Sequence, residues 1–118
     1  MIEKTIYDYL SARVPSEENP VGVYMEIPAG GGTPPFVVIQ KTGGGMVDGV
    51  VSQATLAIQS YGATLYEAAQ VNELVKALMA QSVSLAEVAR CRLNSDYNYT
   101  DTASKHYRYQ AVFDIIHY

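Results

Sequence analysis

Between residues 50 and 80 the hydrophobic period changes from two to about 3.6, and this switch restricts the fold more than any other feature of the chain. From Val50 to Tyr61, Ala54, Leu56 and Ile58 alternate with Gln53, Thr55 and Gln59, the pattern of a half-buried strand. Directly after it, Thr64-Leu65-Tyr66-Glu67 reads as a capping box, in which the Thr and Glu side chains satisfy two orphan amides at a helix start. The helix is predicted to run to about residue 80. Leu65, Ala68, Val71, Leu74, Val75, Leu78 and Met79 form its apolar stripe, with Glu67, Gln70, Glu73 and Lys76 largely outside it. A wet-faced strand followed at once by an amphipathic helix predicts a helix packed on a sheet.

Upstream, Ile2, Ile6, Tyr9 and Leu10 recur at helical spacing, and Pro15 ends that short helix. Val21 to Ile27 is predicted as a first strand, with Val21, Val23, Met25 and Ile27 on its apolar side. Pro28-Ala29-Gly30-Gly31-Gly32-Thr33-Pro34-Pro35 cannot continue a ladder and reads as a loop. Phe36 to Lys41 is a strand rich in branched and aromatic residues. It is joined to the Val50 strand by a connection over Gly43-Gly44-Gly45-Met46-Val47-Asp48-Gly49, making a long antiparallel hairpin.

Downstream, Ala89, Cys91 and Leu93 oppose Arg90, Arg92 and Asn94, a strand with one wet face. Asp101 to Ser104 turns the chain, and Tyr107, Tyr109, Ala111, Phe113 and Ile115 alternate along a closing strand. Strands arriving in runs rather than alternating with helices define an α+β class. The expected architecture is a mostly antiparallel sheet of about five strands, with one long helix packed on it and a short N-terminal helix, in a single domain over residues 1–118.

A chain of 118 residues with 48% apolar content can bury a core without disulfides or metal, and it is too apolar to be disordered. Eight Lys and Arg against twelve Asp and Glu give a net charge of -4, which leaves no electrostatic footprint for tight binding to nucleic acid or an anionic membrane. The first residues show no basic segment followed by an apolar block, and no run is long and apolar enough to cross a bilayer. Cys91 stands alone, which excludes an intrachain disulfide and a Cys-based zinc site, fits a reducing compartment, and makes it a small buried hydrophobe.

No catalytic, cofactor or metal site is expected. Gly43-Gly44-Gly45 lacks the Gly-Lys-Ser/Thr ending of a phosphate-binding loop and leads into a strand, so hairpin-loop geometry is its reading. His106 and His117 lie at or beside the last strand, eleven residues apart and on opposite faces if it is regular, with no second cluster of donors. Asp96 and Asp101 are placed on either side of a turn, where Asp is a common turn former. No Ser, Cys or Thr has a base at motif spacing. Tyrosine is the compositional anomaly, ten residues with no Trp. Tyr97, Tyr99, Tyr107 and Tyr109 bracket the last hairpin, as cross-strand packing, as an assembly platform or, least favoured without a basic groove, as a surface that stacks bases.

The layout as a whole resembles a known group. A short helix and a Pro/Gly loop precede Val37-Val38-Ile39-Gln40-Lys41-Thr42-Gly43-Gly44. Then come Ala54-Thr55-Leu56-Ala57-Ile58-Gln59-Ser60-Tyr61, a helix opening Leu65-Tyr66-Glu67-Ala68-Ala69, and a closing Arg108-Tyr109-Gln110-Ala111-Val112-Phe113-Asp114-Ile115. Over nearly its full length the chain is similar to the tail-terminator (tail completion) and minor capsid proteins of long-tailed bacteriophages. The resemblance implies a non-enzymatic virion protein, assembled in the host cytoplasm, whose copies form a ring, commonly a hexamer, capping the tail tube at its head-proximal end. Its implied partners are its own copies, the tail tube protein and a head-side connector or stopper, with no membrane and with DNA only as passing cargo. Subunit or partner contacts are expected at Gly43, Gly44, Gly45, Met46 and Val47, with the 28–35 loop as a second contact. The alternative is a small-molecule-binding or regulatory α+β domain with its ligand between the 64–80 helix and the sheet.

Overall fold

The computed structural model describes residues 1–118. In chain order the elements are α1 (Ile2–Ser11), β1 (Gly22–Tyr24), a single 3-10 turn at Ala29–Gly31, β2 (Phe36–Met46), β3 (Ser52–Gly62), α2 (Leu65–Ala80), a second 3-10 turn at Ser82–Ser84, β4 (Val88–Asn98) and β5 (Tyr107–His117). The five strands form one sheet in the order β1-β2-β3-β5-β4, antiparallel throughout except for the β1–β2 pair. The α+β class, the five strands, the long helix and the short N-terminal helix all stand as the sequence implies.

Both helices cover the same face. Ile6 and Leu10 of α1 and Ala68, Val71, Val75 and Met79 of α2 are buried, and with Val37, Ile39, Leu56, Ile58, Ala111, Phe113 and Ile115 most of them form one continuous core. At roughly 25 cal/mol per Å² of apolar surface this layer is the main source of stability. The Thr64 cap forms as the spacing predicts, its Oγ1 accepting from Glu67 N at 3.1 Å. The Glu67 carboxylate accepts from Ala63 N at 2.8 Å rather than from Thr64's own amide, one residue outside the usual box. Leu65 stays exposed, and Asn72 takes a buried place in the stripe.

Four local expectations are corrected. β1 holds only Gly22 to Tyr24, and Met25 and Ile27 are exposed rather than part of an apolar strand face. β1 runs parallel to β2, so the chain must return the length of the strand before β2 begins, and residues 25–35 are spent on that return. The glycine triplet is not a loop. Gly43, Gly44 and Gly45 lie in β2, paired with Thr55, Ala54 and Gln53 after a register shift between Lys41 and Gly43. None of the three has a positive φ. The turn is made further on, where Val47 N and Asp48 N donate to Val51 O, and Asp48 Oδ1 accepts from Val50 N at 2.8 Å and Val51 N at 2.9 Å.

In β4, a register shift between Val88 and Arg90 takes Ala89 out of the alternation, while Leu93, although paired with the buried Phe113, stays exposed on this edge strand ahead of a second shift between Leu93 and Ser95. Asp96 sits inside β4 rather than beside a turn. Its carboxylate takes Lys76 Nζ and Asn72 Nδ2, both at 2.6 Å, and pins α2 to the strand. Asp101 does form a turn, accepting from Ala103 N and Ser104 N.

Candidate functional site: the free edge and apolar tip of the β2–β3 hairpin

The sheet face opposite the helices has no covering layer, and its chemistry explains why it tolerates water. Gln59 Nε2 donates to Gln110 Oε1 at 2.9 Å, and Gln110 Nε2 in turn to Tyr97 Oη. Thr55 Oγ1 and Asn94 Nδ2 both donate to the Asp114 carboxylate, at 3.1 and 2.9 Å. Arg108 lies across this face, with Nη1 on Tyr61 Oη at 2.9 Å and its guanidinium 4.5 Å from the Tyr99 ring centre. These cross-strand hydrogen bonds satisfy the polar groups in place, so the open face is not an apolar patch.

The four tyrosines around the last hairpin do not form one platform. Tyr97 and Tyr99 stand edge to face on the open side, with centroids 5.8 Å apart. Tyr107 and Tyr109 share the parity of Ala111 along β5 and belong to the helix-covered side. His106, in an isolated bridge with Asp101, and His117, paired with Val88, sit at the two ends of β5. No three His, Cys, Asp or Glu side chains converge to hold a metal ion.

The residues expected to make contacts, Gly43 to Val47, are brought together differently. β1 pairs only with Phe36 to Val38, so from Ile39 onward the outer edge of β2 has no neighbouring strand. From Gln40 to Met46 every residue of β2 is exposed. Gly43, Gly44 and Gly45 add no side chain to shield this run of backbone donors and acceptors, the template an added strand requires. At its end the hairpin carries Met46, Val47 and Val50, which are 72%, 61% and 72% exposed. Asp48 is the one charge of the turn, and the Val50 and Val51 amides hold its carboxyl below the usual carboxylate range.

A second feature lies at the opposite end of the same strands. Phe36 pairs with Tyr61 where β2 begins, and Gly62 pairs with Tyr107 where β5 begins. Beside them is a cleft of about 350 Å³ lined by Ile27, Pro34, Phe36 and Tyr61 together with Lys105 and His106. One wall is formed by Gly30, Gly31 and Gly32, whose φ angles of 79°, 88° and 74° lie in the left-handed region that favours glycine. The sequence reading missed this cleft, because its residues come from three distant segments. The Gly30–Gly32 run before two prolines was its one signal.

The space between α2 and the sheet is filled by Val71, Val75 and Met79 within the main core. Cys91 is half-buried, and burial pushes its thiol up, away from the reactive thiolate. No helix is long and apolar enough to cross a membrane. Compared with known proteins, the chain matches no family model and no curated sequence.

Proposed function

We propose that this chain is a structural subunit of the bacteriophage neck or tail end. Its copies form a ring that caps the tail tube and joins tail to head, with the tube protein and a head-side connector or stopper as partners and DNA only passing through. The observation that carries this reading is the hairpin tip. Three large apolar side chains project into water at the end of a strand whose edge is free, which a lone subunit has no reason to maintain. Burying each is worth roughly 1.5–3 kcal/mol at most. One such contact is modest against the cost of association, and a closed ring repeats it at every subunit boundary.

On this reading the chain is not an enzyme, and its net charge of -4 suits a channel that does not retain passing DNA. The layout of helix, Pro/Gly loop, long hairpin, capped helix and closing hairpin supports the tail-terminator assignment through the resemblance already stated. The test is Met46→Asp together with Val47→Asp. Light scattering should show assembly lost and circular dichroism a folded monomer; unchanged assembly would remove the tip from the interface.

A further inference from the structure

Tip and cleft lie at opposite ends of one hairpin. The β2–β3 register runs from Phe36↔Tyr61 at the cleft to Met46↔Ser52 at the tip, ten residues or about 33 Å at strand spacing, in a molecule 44 Å long. Their chemistry is complementary. The tip offers Met46 and Val47 with a single carboxylate at Asp48, whose Oδ1 is engaged by two amides while Oδ2 has no partner. The cleft offers Ile27 and Pro34 beside the Phe36–Tyr61 pair, and its lining includes His106 and Lys105, which takes part in no ion pair.

We infer that the occupant of the cleft is the hairpin tip of a second copy of this chain. Met46 and Val47 lie against Ile27 and Pro34, and the Asp48 carboxylate faces Lys105 and His106. This rests on the ring reading above and gives its subunit contact a direction. Donor and acceptor surfaces are different and sit at opposite ends, so a head-to-tail contact repeats from copy to copy and closes into a ring or runs on as a filament. A two-fold pair could use the same surfaces only reciprocally, each tip in its partner's cleft, and would stop at a dimer. The turn is already held by its Asp48 hydrogen bonds, so docking orders little new backbone. The volume of about 350 Å³ is that of a site able to enclose a small group of side chains.

The test is a disulfide ladder. In a Cys91→Ser background, Met46→Cys is combined with Ile27→Cys and the protein is oxidised over a concentration series, with the two single-cysteine variants alongside. The expected result is a ladder of covalent oligomers from the double variant, ending at the ring size seen by electron microscopy, and at most traces of dimer from each single variant. A strong dimer from Met46→Cys alone would mean tip-to-tip pairing and overturn the contact, and a double variant that stops at the dimer would overturn its head-to-tail direction. Rings without a ladder would also overturn it while leaving the ring reading intact. Absence of rings from the unmodified protein, alone and on tail tubes, would overturn both. As a second arm, Lys105→Glu should raise the concentration needed for assembly about tenfold and Lys105→Gln should raise it less, with Asp48 keeping its turn hydrogen bonds in both. No rise with Lys105→Glu would count against the contact.

Discussion

Phe36 and Tyr61 stack with ring centroids 4.5 Å apart and planes 13° from parallel, at the point where β2 and β3 meet beside the cleft. Both rings are buried although no helix covers that face, and Val38 completes their small separate cluster. Phe36→Ala should therefore cost about 3–5 kcal/mol. Tyr61→Phe keeps the stack and loses the hydrogen bond from Arg108 Nη1 at 2.9 Å and the longer one to Gln59 Oε1 at 3.4 Å, for about 1–2 kcal/mol. Urea denaturation midpoints measure both, and equal losses would contradict the stacking account.

Glycines 45 and 62 should respond in opposite ways. A Cβ on Gly62 would stand 2.3 Å from Ala68 N and 2.8 Å from Thr64 O, both backbone atoms at the start of α2. Gly62→Ala is expected to destabilise by about 3 kcal/mol, at the upper end of overpacking costs. Around Gly45 nothing lies within 4 Å, so Gly45→Ala should be neutral or stabilise by about 0.5 kcal/mol through reduced freedom of the unfolded chain. Thermal unfolding of the two variants decides this, and a marked loss for Gly45→Ala would put the triplet back in a loop.

The helix cap is a separate lever. Thr64→Ala removes the acceptor for Glu67 N and should cost about 1 kcal/mol, with Thr64→Ser close to the parent. Hydrogen exchange should rise mainly in the first turn of α2.

Lys76 gives a pH signature. Its ammonium is held above the usual lysine range first by the Asp96 hydrogen bond, then by Glu73. A group whose folded pKa is raised contributes stability that is complete below its unfolded value, 10.5, and is lost as pH climbs through the higher folded value. The stability difference between parent and Lys76→Met should thus hold steady from neutral pH to about pH 10 and shrink above it. Chemical denaturation across the alkaline range checks this, and a difference that stayed constant there would contradict it.

What could be read before the structure follows from which residues leave the backbone no choice. Ala54, Leu56 and Ile58 alternate without a bulge, and Thr64 sits at a fixed distance from Glu67, so β3 and α2 were legible to within a residue or two. Gly43 to Gly45 were misplaced because glycine suits a turn as well as an extended strand, while the turn itself is made by Asp48, whose carboxylate accepts from the Val50 and Val51 amides. Ala89 was misassigned because the bulge beside it in β4 leaves no trace in hydrophobic spacing. The candidate contact residues Gly43 to Val47 are all exposed, but their free edge depends on how little of β2 is covered by β1. That is a tertiary fact.

The central claim, that this chain ends the tail and makes the joint to the head, is tested most directly by electron microscopy. The sample is a lysate of a phage whose copy of this gene carries an early stop codon. The account requires DNA-filled heads lying free beside unattached tails of irregular length, because nothing stops tail growth and nothing forms the joint. Normal virions in that lysate would contradict it, and emptied heads beside tails of uniform length would contradict the tail-end placement by moving the protein to the head side.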